Sequence, residues 1–124
     1  MIDTDILIDA ERGAPDAIAF LTSQHARAGV HISIVSAMEL VAGCRNTGEL
    51  VQVQAFLQQI TVLPITLVAS RTALQLMETY FLSHRLLIPD SLIAATALDN
   101  GFPLYTKNAH HFQMISLLQV IRPY

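Results

Sequence analysis

Four acids and one amide in this 124-residue chain could hold a hard cation: Asp3, Asp5, Glu39, Asp90 and Asn108. Asp90 follows Pro89 and precedes the apolar run Leu92, Ile93, Ala94, Ala95, Ala97, Leu98, so it falls at or next to the first turn of a buried helix. That position fixes a carboxylate rigidly, as an ion site requires. It equally suits an acid that only complements the helix dipole and satisfies free N–H groups, and this segment alone leaves both readings open. In an open α/β sheet, residues distant in sequence meet at the carboxyl ends of the strands. Carboxylates crowded there raise one another's pKa, and a divalent ion removes the conflict. Oxygen donors with no thiolate favour Mg²⁺ or Mn²⁺ over Zn²⁺. Such an ion positions a water or hydroxide and stabilises charge on a phosphoryl oxygen, which is machinery for hydrolysing a phosphodiester without a covalent intermediate.

The elements that must place these groups alternate. Met1–Ile8 (M-I-D-T-D-I-L-I) reads as a very short strand running into a turn or helix, or else as a helix start with Thr4 or Asp5 as the cap. Pro15–Ala28 is a predicted helix, with proline in its first turn. Val30–Val35 (V-H-I-S-I-V) is a predicted strand, β-branched and alternating with period two. Ser36-x-x-Glu39 then reads as a capping box, although Glu39 could instead face the crevice of Asp3 and Asp90. Helices are expected over Glu49–Gln59 and Thr66–Ser83, with a short edge strand at Val62–Ile65 between them. Asn100-Gly101 caps the Asp90 helix. Phe102–Tyr105 is a predicted strand, Thr106–Phe112 a turn or short helix, and Leu117–Ile121 a last strand. The pattern predicts an α/β fold: one domain over residues 1–124 with a central parallel sheet of four to five strands and helices on both faces.

Totals exclude several classes. Hydrophobic residues make up 52% and charged residues 14%, so some apolar surface is expected to meet a partner or a second copy. No apolar run is long enough to cross a bilayer, and no secretory signal is evident, so a cytoplasmic, non-membrane protein is expected. The single cysteine, Cys44, allows no internal disulfide and argues against a thiolate zinc site. A net charge of −3 with one lysine, Lys107, is not the footprint of a nonspecific nucleic-acid binder, so nucleic-acid chemistry here needs a cation.

Four motifs in order, D-T-D-I-L-I, S-x-M-E-L, P-D-S-L-I-A-A-T-A-L and L-Y-T-K-N-A-H-H-F, resemble those of PIN-domain ribonucleases, most of all VapC toxins of toxin–antitoxin modules. The resemblance runs from Met1 to about Pro123. It implies an Mg²⁺- or Mn²⁺-dependent endoribonuclease acting on RNA, often structured RNA such as tRNA, a homodimer, and a VapB-like antitoxin whose tail enters the acidic groove. By motif, Asp3, Glu39 and Asp90 would be the catalytic, metal-binding acids, and Asn108 falls where many relatives carry a fourth Asp. Thr4, Ser36 and Thr106 would supply supporting hydrogen bonds.

Two departures stand out. Asp5 replaces the usual Asn, adding a ligand or serving the turn, and Asn108 lacks the charge that would hold a second ion firmly. Lys107, His110 and His111 are candidate RNA contacts. Two other readings compete. One is a catalytically weak PIN-fold binding module working through dimer and antitoxin contacts. The other is a phosphohydrolase, since Asp3-Thr4-Asp5 resembles the D-x-D motif of haloacid-dehalogenase-like enzymes; Leu7 stands where that motif has Thr, and those chains are longer.

Overall fold

The computed structural model describes all 124 residues. Helix α1 (Thr4–Glu11) and α2 (Pro15–Ala28) precede strand β1 (His31–Ser33), which runs directly into α3 (Ile34–Ala42). Then come α4 (Thr47–Leu57), β2 (Thr61–Leu63), α5 (Leu67–His84), α6 (Ile88–Asp99), β3 (Leu104–Tyr105), a 3-10 turn at Ala109–His111, and β4 (Val120–Ile121).

All strand pairing is parallel. β1 pairs with β2 in the register Ile32 to Val62, and β3 with β4 in the register Leu104 to Val120. Ile2 bridges Ile32 on one side and Tyr105 on the other, which joins the two pairs in the order β2, β1, Ile2, β3, β4. The first strand is thus reduced to one residue, because Asp3 already caps α1.

Alternation along the strands puts neighbours on opposite faces. Met1 and Leu104 pack with Val35, Ile93, Ala97 and Phe112 in one core. Ile2 and Ile32 pack with Ile6, Leu7, Leu40 and Val53 in another. Helices therefore cover both faces, as the parallel topology requires. Helices α5 and α6 meet through Ala69, Ala73 and Ala95, whose small side chains permit a close approach.

Two expectations from sequence need correction. The strand at Val30–Val35 stops at Ser33, although Ile34 and Val35 continue the β-branched pattern. Ser33 Oγ accepts a 3.0 Å hydrogen bond from the Ser36 amide and so starts α3. The cap is therefore Ser33, and Ser36-x-x-Glu39 is not a capping box. Ser33 is fully buried. Replacing Ser33 with Ala is expected to destabilise the fold by about 1–2 kcal/mol, the usual worth of a cap. Chemical denaturation of the parent and the variant measures it.

Candidate active site

Three strand-like segments adjacent in the sheet deliver the polar residues. Ile2 gives way to Asp3, β1 to α3 with Glu39, and β3 to Thr106. All three lie at the carboxyl side of the parallel sheet, where side chains from different strands converge.

Asp3 is the N-cap of α1, and its Oδ1 accepts from the Thr4 amide at 2.8 Å. Its Oδ2 accepts from the Thr106 hydroxyl at 2.8 Å, and the same hydroxyl lies 3.2 Å from Asp5 Oδ2. Thr106 is fully buried and Asp3 is 5% exposed. Asp5 Oδ2 also accepts the backbone amides of Lys107 at 2.9 Å and Asn108 at 3.1 Å. Asp5 Oδ1 is buried and has no hydrogen-bond partner. The Thr4 hydroxyl donates to Glu39 Oε2, which ties α1 to α3.

Asp90 sits in the first turn of α6 and accepts none of that helix's amides. Its Oδ2 instead lies 3.3 Å from His111 Nδ1. The arrangement is electrostatically loaded. Burial, then the neighbouring Asp5 charge, pushes the Asp3 carboxyl up from its ordinary value to about 7. Burial also raises Asp90; His111 opposes that rise and Glu39 adds to it. These mutual effects place Asp3, Asp5, Glu39 and Asp90 in one electrostatic neighbourhood.

A profile of the PIN-domain family matches residues 1–115. The chain belongs to the PIN-domain family. Ribonuclease VapC10 of Mycobacterium tuberculosis is 38% identical over 120 residues, which cover 96% of this chain and 90% of that protein. Ribonuclease VapC19 of the same organism is 37% identical over 122 residues, 96% of each chain. The solved VapBC-1 structure from nontypeable Haemophilus influenzae has a TM-score of 0.84 at 25% identity and covers 99% of this chain and 96% of that one. Membership in this family, across nearly the full chain, removes the haloacid-dehalogenase alternative.

Within this PIN domain the residues singled out from sequence fall into two groups. Asp3, Thr4, Asp5, Glu39, Asp90 and Thr106 share the crevice, linked by the hydrogen bonds and charge effects above. Asn108 joins through its amide, which donates to Asp5 and to Thr106 Oγ1 at 3.0 Å; its side chain makes no hydrogen bond. Ser36 does not join. It is fully buried, its hydroxyl is 3.4 Å from Ser33 Oγ, and it makes no hydrogen bond to an acid. The Lys107 ammonium is turned away from the crevice to pair with Asp9. His110 is exposed and packs edge-on against His111, with centroids 4.2 Å apart.

Sequence reasoning missed a clamp behind the crevice. Asp9 accepts from Lys107 Nζ and, at 3.1 Å, from the Tyr124 hydroxyl, and Lys107 lies 5.7 Å above the Tyr124 ring. The Lys107 hydrogen bond holds the Asp9 carboxyl below the usual range. This clamp steadies the Lys107–Asn108 turn whose amides grip Asp5. A signal existed: Asp9 follows Asp5 by one helical turn and so shares its face.

Fitness for a cation can be tested on the donors. All are oxygens, their charges raise the proton affinity of Asp3 and Asp90, and one buried carboxylate oxygen, Asp5 Oδ1, lacks any partner. No three His, Cys, Asp or Glu side chains stand close enough to enclose an ion by themselves. That combination suits Mg²⁺ or Mn²⁺ held by one or two carboxylates with water completing the shell, and not a closed protein cage.

Proposed function

We propose that this protein is an endoribonuclease, the toxin of a toxin–antitoxin pair, hydrolysing RNA phosphodiester bonds with Mg²⁺ or Mn²⁺. The observation that carries the reading is the acid cluster around buried Asp3 at the sheet's carboxyl edge, in a PIN domain 38% identical to a ribonuclease. Asp3, Glu39 and Asp90 are the proposed catalytic and metal-binding acids, one or two of them touching the ion and the others reaching it through its waters. Asp5, through its unpartnered Oδ1, could take one of the direct places. The ion, when bound, supplies Lewis-acid stabilisation of phosphoryl charge and a water of lowered pKa.

The chain's own groups have separable tasks. Thr106, donating to Asp3, fixes which way the carboxylate faces and holds Asp5 beside it. Thr4 fixes Glu39 against α1. Asp3, whose carboxyl in the metal-free protein titrates near neutrality, gives up its proton as the ion binds. His110 and His111 are proposed RNA contacts. Lys107 is reassigned to the clamp on Asp9, because its ammonium is already paired.

A VapB-like antitoxin is the proposed partner, because matching structures are toxin–antitoxin complexes, such as that from Klebsiella pneumoniae with a TM-score of 0.80 at 26% identity. A homodimer is supported by α5, which leaves Leu67, Val68, Leu74, Phe81 and Leu82 exposed. No helix is long and apolar enough to cross a membrane.

The test is cleavage of a labelled RNA with Mn²⁺ by the parent and by Asp90→Asn, each purified in parallel. The parent should cut and the variant should lose on the order of 10²–10³ in rate, as for removal of a charge that stabilises a transition state. A variant as active as the parent would show that Asp90 has no part in the chemistry. A folded, metal-loaded parent that cuts no RNA while still capturing an antitoxin would favour the binding module.

A further inference from the structure

Helix α5 ends in an unusual way. Arg85 caps it at φ 56° and ψ 39°, and it is the only residue other than glycine with a positive φ. Glycine is the ordinary occupant of such a turn because it has no Cβ to clash. A large cationic side chain is kept here in spite of the backbone, and strained positions of this kind gather at functional sites.

The guanidinium lies 5.3 Å from the centroid of the Phe81 ring, and no carboxylate pairs with it. Together with His84, His110 and His111, Arg85 lines an open pocket of about 310 Å³ whose wall includes Asp90. His84 Nδ1 is engaged by Ser83 Oγ at 2.7 Å, leaving Nε2 as its free nitrogen. Asp90 therefore stands between two unlike regions, with the acid crevice on one side and a pocket of donors on the other.

A nuclease of net charge −3 whose reacting groups are acids repels the polyanion it must bind. Cationic groups beside the acids offset that repulsion. We propose that the Arg85 pocket holds an RNA phosphodiester adjacent to the one cleaved, with Arg85 as its main contact and His84 and His110 as further donors. Guanidinium geometry matches two phosphate oxygens at once, which suits a positioning contact. The inference rests on the nuclease reading and names how that site takes its strand.

The test uses Arg85→Gly, which removes the guanidinium and relaxes the strained turn, so the variant should fold. Arg71→Ala, an exposed arginine on the same helix, is the charge-matched control. Under multiple turnover, Arg85→Gly should raise KM roughly tenfold with kcat little changed, the scale of one charge-assisted hydrogen bond. In an Asp3→Asn background, where the strand stays intact, the slope of log affinity against log salt should fall by about 0.7, one single-strand phosphate. Arg71→Ala should alter neither. Replacing one flanking linkage with an uncharged methylphosphonate should weaken the parent and leave Arg85→Gly unaffected, as two changes on one contact do. Equal losses in both arginine variants, or a parent and Arg85→Gly that cut alike, would overturn the subsite while leaving the nuclease intact. A parent that neither binds nor cuts RNA would overturn the nuclease reading, and the subsite with it.

Discussion

Asp3→Asn is expected to lose RNA cleavage and, in the same molecule, to gain stability at alkaline pH when no divalent ion is present. Both effects come from one buried carboxyl. Asp3 is 5% exposed and its pKa stands at about 7 against an ordinary 3.8. The sign follows from proton counting. Between those two values the folded chain binds a proton at Asp3 that the unfolded chain has released. Stability from this group is therefore fully present below about pH 4 and is lost as pH rises through 7. A shift of roughly three units sets a ceiling of roughly 4 kcal/mol on the penalty for ionised Asp3. Asn keeps one acceptor for the Thr4 amide but turns a donor toward Thr106, whose hydroxyl must reverse. That exchange costs about 1 kcal/mol, so a net gain of about 1–3 kcal/mol is expected at pH 8 and little or none at pH 4. Denaturation in EDTA at both pH values reads it. Cleavage should fall on the order of 10³-fold, because the amide carries no charge to hold a cation or a developing proton. A variant less stable than the parent at pH 8 would contradict the account of Asp3 as a buried, unrelieved charge.

The layout of the fold was legible because its signals are local. Proline at the first turns of α2 and α6, the Asn100-Gly101 stop, and strands alternating with helices all survive in the structure, with boundaries moved by a few residues. What was read only in part were the two places where a strand passes straight into a helix. At Ser33-Ile34-Val35 the β-branched pattern persists, and only the Ser33 hydroxyl on the Ser36 amide marks the change. At Ile2-Asp3 the expected short strand running into a helix is a single bridging residue, and the cap is Asp3, where the sequence offered Thr4 or Asp5. Propensity gives way to capping at both points, and both lie at the crevice.

The crevice was legible as a set of residue types and opaque as a set of bonds. Sequence motifs marked Asp3, Glu39, Asp90 and Thr106, but not that Thr106 bridges Asp3 and Asp5, or that Thr4 and not Ser36 supports an acid. Those facts depend on side chains 35 to 103 residues apart, and no local pattern encodes them. Asp5 shows the same division. One of its oxygens serves the Lys107–Asn108 turn while the other stays buried and unpartnered. The extra charge raises Asp3's proton affinity. The Asp5 carboxylate therefore trades a readily ionised Asp3 for a more anionic crevice.

That trade has a measurable consequence for the bound ion. Added Mn²⁺ should stabilise the parent strongly at pH 8 and weakly at pH 5. At pH 8 Asp3 is ionised, and a cation both binds it and cancels its repulsion with Asp5 and Asp90. At pH 5 Asp3 holds a proton that the ion must displace, so binding and proton release are coupled. With one proton displaced, the apparent affinity falls about tenfold for each pH unit below 7, the value of Asp3 in the metal-free protein. An ion present at a hundred times its dissociation constant adds about 2.7 kcal/mol of stability, so at alkaline pH the rise in melting temperature should be plain. Calorimetric titration in two buffers of different ionisation heat should show protons released near pH 6 and far fewer at pH 8.5. In Asp5→Asn the neutral side chain no longer raises Asp3, so the release should move to lower pH. Mn²⁺ stabilisation of equal size at pH 5 and pH 8, with no proton release at either, would mean that the ion binds without Asp3, and the crevice built on that residue would lose its chemical role.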